Sequence, residues 1–277
     1  MNRSPQELQH LANRLRIDII RMLHKAGSGH PGGSLSAIDI LTCLFWNYLG
    51  RTKENALDPD RHRFVLSKGH GVPALYAIFK ELGMITDEEM MTLRMVDSRI
   101  QGHPHRGALP YVEASSGSLG QGVTIAQGMA LAAKADGKPL KVYCVMGDGE
   151  TQEGQVWETF MSAPKFRLDN FIVVLDYNKS QIDGFTKDVM DIEPLKAKLT
   201  AFNWEVQEID GHDMHEIDRA LKNAQVGNGK PQYIIAHTVK GKGVSFMENN
   251  VEWHGKSPND EQTAAALKEL SSALEQA

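Results

Sequence analysis

The chain has 277 residues, of which 41% are hydrophobic and 23% charged, with a formal net charge of −5. This is the composition of a globular chain long enough for one large α/β domain with a substantial core, and the acidic balance argues against nucleic acid or an anionic membrane as the main partner. Cys43 and Cys144 form no CxxC pair and read as buried free thiols of a cytoplasmic protein.

The N-terminal MNRSPQELQH lacks the apolar core of a signal peptide. Ser4-Pro5 then opens a helix, Ser4 as the N-cap, with Leu8, Leu11, Leu15, Ile19, Met22 and Leu23 on one face to about Lys25. The next stretch, Gly27-Ser28-Gly29-His30-Pro31-Gly32-Gly33-Ser34, is expected to be a loop, with Ser34 capping a helix to about Leu49. Asp39 interrupts the longest apolar run in that helix, so no membrane span is expected. Asp58-Pro59-Asp60-Arg61 is a turn before a short strand, Arg63 to Leu66, which ends in Ser67-Lys68-Gly69-His70-Gly71 and a helix opened by Pro73. Glu81 to Met95 reads as helix, turn and a second helix from about Thr86. Gln101-Gly102-His103-Pro104-His105 repeats the Gly-His-Pro text around His30, and the default for His105 is a surface residue. Gly117-Ser118-Leu119-Gly120 is a turn ahead of an Ala- and Gly-rich helix to about Lys134.

The stretch that organises the rest is KVYCVMGDGETQEGQVWETFMSAPKFRLDNFIVVLDYNKSQIDG, from Lys141 to Gly184. Val142 to Met146 suits a fully buried parallel strand. It stops at Gly147-Asp148-Gly149, and a helix from Thr151 or Gln152 follows, with Val156, Trp157, Phe160 and Met161 at helical spacing. A second buried strand, Phe171 to Leu175, ends at Asp176-Tyr177-Asn178. Asp148 and Asn178 thus stand at the carboxyl ends of two strands, where open α/β sheets place ligands. A carboxylate, an amide oxygen and a backbone carbonyl just after Asn178 form a donor set for a hard cation, Mg²⁺ or Ca²⁺. The helix start after Gly149 favours an anion at the same place, so a metal-bridged diphosphate is the economical reading. The plainer alternative, a crossover with a solvated Asp and a capping Asn, leaves the second strand end unexplained. Downstream, helix Glu193 to Leu199, strand Trp204 to Ile209, turn Asp210-Gly211-His212-Asp213, helix Met214 to Ala224 and strand Tyr233 to His237 continue the alternation. His212 reads as a turn residue. The cationic loop Thr238 to Gly243, Trp253-His254-Gly255-Lys256 and a helix from Asp260 to Leu274 close the chain.

Gly-Asp-Gly followed about thirty residues later by Asn after an apolar strand resembles the thiamine-diphosphate motif. The finer text, with SGHPG, SKGHG, QGHP, GSLGQG, DGHD and WHGK, resembles the N-terminal section of transketolases over almost the whole chain. The resemblance implies a mostly parallel sheet with helices on both faces, as a single diphosphate-binding domain over residues 1–277. It implies transfer of a two-carbon ketol unit from a ketose to an aldose, with thiamine diphosphate as electron sink. In that family pattern Asp148, Asn178 and the Ser180 carbonyl ligate the metal. His70, Gly149 and His254 contact the diphosphate, with Lys68 beside them in a less defined role. Gly117, Leu119 and Ile182 contact the aminopyrimidine. His30, His103 and His254 bind substrate oxygens and move protons. Glu153 corresponds to a Glu at the subunit interface; as a residue alone it is a first-turn Glu favoured by the helix dipole. The carry-over to His254 follows the animal-type subgroup, in which a similar Lys-Gly-x-Gly and Trp-His-Gly-Lys occur at the same separation; other transketolases place the equivalent His a few residues earlier, so this role depends on the subgroup the chain follows.

The family's pyrimidine-binding domain, which supplies the activating Glu, has no counterpart after Lys256. The expectation is a split enzyme: a diphosphate-binding subunit, inactive alone, completed by a separate pyrimidine-binding chain in a heterotetramer of two copies each. Pentose-phosphate sugars are the default substrates by analogy, with sulfonated, branched or deoxy sugars open. The rivals are the α subunit of a 2-oxo acid dehydrogenase, a 1-deoxyxylulose-phosphate synthase relative, and a catalytically silent assembly subunit. A nicotinamide-dependent dehydrogenase is excluded because no GxGxxG follows the first strand.

Overall fold

A computed structural model describes residues 3–276. Helix α1, Pro5–Ala26, starts with a full capping box in which Ser4 and Glu7 satisfy each other's backbone N–H, and it ends at Gly27 in the left-handed region. The predicted loop after it is shorter than expected. Helix α2 begins at Pro31, with His30 as its N-cap, and Gly32, Gly33 and Ser34 lie inside it. Ser34 therefore caps nothing; its hydroxyl donates back to the His30 carbonyl at 2.7 Å. Pro at the first helical position and burial of every residue from Pro31 to Cys43 outweigh the low helix propensity of glycine. A π-helical turn, Leu44–Leu49, extends α2 to the predicted end.

The remaining elements follow in order: strand β1 (Arg63–Leu66), helices α3 (Val72–Glu81), α4 (Asp87–Met90) and α5 (Gln121–Ala135), strand β2 (Val142–Gly147), helix α6 (Gly154–Lys165) and strand β3 (Phe171–Tyr177). A two-residue hairpin, β4 (Ser180–Gln181) with β5 (Gly184–Phe185), precedes α7 (Thr186–Val189) and α8 (Leu195–Ala201). Strand β6 (Glu205–Asp210), helix α9 (Met214–Asn223), strand β7 (Gln232–His237) and helix α10 (Asp260–Gln276) complete the chain. Strands β1, β2, β3, β7 and β6, in that order, form a sheet in which every pair is parallel.

Alternation along the strands sends side chains to two cores. Tyr143, Val145, Ile172, Val174 and Ile234 join α1, α2, α3 and α9 on one face. Val142, Cys144, Met146, Val173 and Ile235 join α5, α6 and α8 on the other. This is the expected two-sided layering, and it explains why β2 and β3 are buried along their whole length. No described helix is long and apolar enough to cross a membrane. The carboxyl ends of β1, β2, β3 and β7 emerge side by side, and the loops after them carry the chemistry.

Candidate active site

Four strand ends and the N-terminus of α2 enclose a cavity of about 320 Å³. It is lined by His30, His70, His103 and His254, by Gly117 and Leu119, by Asp148, Gly149 and Glu153, and by Asn178, Ser180 and Ile182. Every site residue expected from sequence is thus brought to one place. Lys68 and Lys240 join them.

Asp148 is 2% exposed and lies at the end of β2. Its Oδ1 accepts the Gly149 N–H at 2.9 Å and its Oδ2 accepts the Thr186 hydroxyl at 3.1 Å. Among the described residues no cationic side chain lies within 4.0 Å of it. Burial, and then the nearby Asp176 carboxylate, weaken it as an acid and push its pKa up to about 6. Asn178 donates to Ser36 Oγ at 3.3 Å and Asp176 Oδ2 at 3.4 Å, which fixes its amide, while its oxygen accepts the Ser180 N–H at 3.1 Å. Lys179, between Asn178 and Ser180, holds φ +63°, a conformation rare for a residue with a Cβ and stored where the chain must turn sharply. The Ser180 hydroxyl is buried without a partner. No three His, Cys, Asp or Glu side chains gather as a metal site among the described residues. A set of one carboxylate, one amide and one carbonyl lies outside that pattern but fits a hard cation that keeps positions for phosphate oxygens.

The local turn differs from the prediction. Gly149 to Gln152 is a 3₁₀ turn, and α6 starts only at Gly154. Glu153 is its N-cap in extended conformation, not a first-turn residue, and its side chain caps nothing. The Gly149 N–H is taken by Asp148 rather than free, so an anion reaches it only when that carboxylate turns away.

Behind this edge lies a buried polar network that sequence reasoning missed. Asp176 accepts from Lys68, from Ser36 at 2.6 Å and from the Thr238 hydroxyl, and Lys68 also donates to the Gly33 carbonyl at 3.0 Å. Burial opposes its charge, but Lys68 beside it keeps the Asp176 carboxyl below its ordinary range. Glu150 accepts from Ser67 and from the backbone N–H groups of Gly120 at 2.9 Å and Gly147 at 3.2 Å, tying the β1 end, the Gly117–Gly120 turn and the β2 end together. The signal was present in the text: an Asp near the end of an otherwise apolar strand requires a buried partner.

The four imidazoles form one cluster, with ring centroids 5.4 Å apart for His30–His70, 6.1 Å for His30–His103, 5.5 Å for His30–His254 and 5.1 Å for His70–His254. His30 Nδ1 is buried without a partner. Burial, then the charges of Arg94, His103, Lys240 and Lys68, push the basicity of His30 down to about 4. Burial, then Lys240, His30 and Lys68, bring His254 to about 3. His70 is well below its ordinary value through burial and Lys68, and His103 is lowered by burial and Arg94. The cluster is therefore neutral at pH 7, and in this state its members donate and accept hydrogen bonds rather than carry charge. Lys240 is buried, donates to His254 Nδ1 at 3.0 Å, and is lowered to about 8 by burial and the Lys68 charge. Two glycines allow these approaches. A Cβ on Gly69 would stand 2.8 Å from the Gly117 nitrogen, and one on Gly32 would stand 2.8 Å from Lys240 Cγ. His105 and Ile182 are exposed, Ile182 by 72% at the cavity mouth.

Residues 8–275 match the family model described as transketolase, thiamine diphosphate binding domain. The chain belongs to the transketolase family. Within it, the chain is 40% identical over 269 residues to an apulose-4-phosphate transketolase subunit of Phocaeicola vulgatus, covering 97% of this chain and 95% of that one. It is 42% identical over 270 residues to a 6-deoxy-6-sulfo-D-fructose transketolase subunit of a Clostridium species, covering 98% of both. Among solved structures, Campylobacter jejuni transketolase superposes with a TM-score of 0.89 at 36% identity, covering 98% of this chain and 43% of that one. The fold and the thiamine-diphosphate-binding class expected from sequence are those of this transketolase domain. The chain spans less than half of the solved transketolase and nearly all of the two bacterial relatives named as subunits.

Proposed function

We propose that this chain is the diphosphate-binding subunit of a split transketolase that moves a two-carbon ketol unit from a ketose to an aldose acceptor. The observation that carries this reading is the buried Asp148, without a cationic partner, lining one cavity with Asn178, Ser180 and four neutral imidazoles. Asp148, Asn178 and the Ser180 carbonyl would hold Mg²⁺ or Ca²⁺. His70, His254 and Gly149 would contact the diphosphate, with Lys68 and Lys240 supplying positive charge around it. Gly117, Leu119 and Ile182 would lie against the aminopyrimidine, and Glu153 at the cavity rim would face the partner chain. Thiamine diphosphate, when bound, supplies the electron sink that makes a ketol carbon transferable. His30, His103 and His254 bind sugar hydroxyls and pass protons to and from them; neutral rings suit both tasks.

Residues 1–277 act in this reading as one domain, and a pyrimidine-binding chain completes the site. Relatives of nearly the same length that are named as transketolase subunits support a separate partner, and a cofactor held between two kinds of chain supports a heterotetramer of two copies each. Relatives named for apulose-4-phosphate and 6-deoxy-6-sulfo-D-fructose support anionic sugars, sugar phosphates included, as substrates. Two buried free thiols fit a reducing, cytoplasmic setting. The test is calorimetric titration of Mg²⁺ and thiamine diphosphate into the chain, with and without the partner, followed by a ketol-transfer assay of the complex. Metal-dependent cofactor binding is expected. A complex that binds no cofactor at saturating Mg²⁺ overturns the reading.

A further inference from the structure

The Asp-Gly-His-Asp text after β6 makes more than a turn. His212 is mostly buried, and its Nδ1 lies 2.7 Å from Asp39 Oδ2 while its Nε2 accepts the Val239 N–H at 2.8 Å. Because Nε2 is an acceptor, the ring proton sits on Nδ1 and is donated to Asp39. Asp39 is itself fixed by Arg16, whose Nη1 and Nη2 donate to its two oxygens at 3.0 and 2.5 Å. Burial alone would raise this carboxyl, yet Arg16 and His212 hold it at about 2, so it stays an acceptor. Arg16 Nε also donates to the Lys242 carbonyl at 3.1 Å. One buried unit, Arg16–Asp39–His212, therefore grips the segment after β7 at Val239 and at Lys242. Between those two points Lys240 turns into the cavity and donates to His254 Nδ1. With Nδ1 occupied as an acceptor, the proton of neutral His254 stands on Nε2.

We propose that His212 is a positioning residue for ketol transfer: held by Asp39 and bonded to the Val239 N–H, it places Lys240 so that His254 keeps its proton on Nε2, the nitrogen left to the substrate. This rests on the reading of His254 as substrate-facing. The readout is chosen to separate the two, because the tautomer is measured on the free chain without ketol transfer. No other described contact gives the Val239 N–H a partner, so losing Nε2 leaves that donor unpaired directly before Lys240, while Thr238 and Gly241 on either side stay bonded to Tyr177 and Gly32.

The experiment is ¹⁵N–¹H correlation of the His254 ring at about pH 6.5, below the lowered Lys240 value, where its ammonium donates. Wild type, His212→Gln, His212→Asn and Lys240→Met are compared, with thermal midpoints and thiamine diphosphate titration in Mg²⁺ alongside. The Gln amide oxygen can take the place of Nε2, whereas the Asn amide reaches Asp39 and leaves Val239 unpaired. Expected is a single Nε2–H tautomer in wild type and H212Q, and a mixture in H212N and K240M. Cofactor affinity should fall about tenfold in H212N, as for groups that orient a ligand from behind. A wild-type ring protonated at Nδ1 overturns the proposal, and so does an H212N ring identical to wild type. If H212N does not fold, H212Q decides: a folded H212Q that loses the Nε2–H tautomer also overturns it.

Discussion

Asp148 is buried with two neutral hydrogen-bond donors and no described cation within salt-bridge reach, which is an expensive way to keep a carboxylate. In the proposed reading a divalent ion held by Asp148 would remove that cost. Asp148→Asn should therefore leave the thermal midpoint of the metal-free chain unchanged or higher. It should also abolish the stabilisation that Mg²⁺ and thiamine diphosphate give the wild type, about 2.7 kcal/mol at a hundredfold excess over Kd. Thermal melts with and without both ligands check this. His30 and His254 lead to a pH prediction. Their folded values, about 4 and about 3, lie below the ordinary value of 6.5. Between pH 6.5 and 4 the unfolded chain binds more protons, so stability falls as pH is lowered through that window and is fully present above it. The double variant His30→Asn, His254→Asn should show a flatter dependence in urea titrations over the same range.

At the scale of elements, the segment between α4 and α5 carries His103 and the Gly117–Leu119 turn, and it is held by a buried ion-pair cluster. Glu113 accepts from Arg51 at 2.6 Å and from Arg61 at 2.9 Å, with Arg63 3.8 Å away. Glu113→Ala leaves three guanidinium groups facing one another. It should cost about 3–5 kcal/mol in denaturant midpoints, as for removal of one partner from a buried pair. Strand β2 and the stripe of α1 were legible because burial on both faces, or on one, imposes an apolar pattern that the text displays. The start of α2 was not. Gly32-Gly33-Ser34 reads as loop by propensity, and only the close passage of Lys240 beside Gly32, and of Lys68 and His70 beside Gly33, accounts for glycine inside a buried helix. Glu113 and Arg51 gave no signal, since their pairing joins residues 62 positions apart.

At the scale of the molecule, the cavity opens onto an apolar rim. Ile182 is 72% exposed, Met190 61%, Val189 41% and Phe185 40%, and all four belong to the hairpin and short helix beside the Asn178 turn. Other exposed apolar side chains, such as Val96, Met161 and Val226, are spread over separate segments, whereas these four fall within nine consecutive residues and make a patch for something to cover. The chain alone is expected to show no ketol transfer above background, and addition of the proposed pyrimidine-binding subunit should bring it about in a standard coupled assay. Turnover by the purified chain without any partner would show that the site is complete within these 277 residues.

The amino-acid text by itself determined the parallel α/β architecture, the Gly-Asp-Gly and Asn strand ends and the four histidines, because strand burial and glycine turns leave local patterns. Only the tertiary structure decided what those residues experience. The neutrality of the imidazoles arises from burial and from Lys68, Lys240 and Arg94, which approach from other segments. The role of His212 depends on Asp39, 173 positions away, and on the Val239 backbone. Electrostatic environment and buried hydrogen bonding are properties of proximity in space, and a linear sequence records them only where both partners happen to be neighbours.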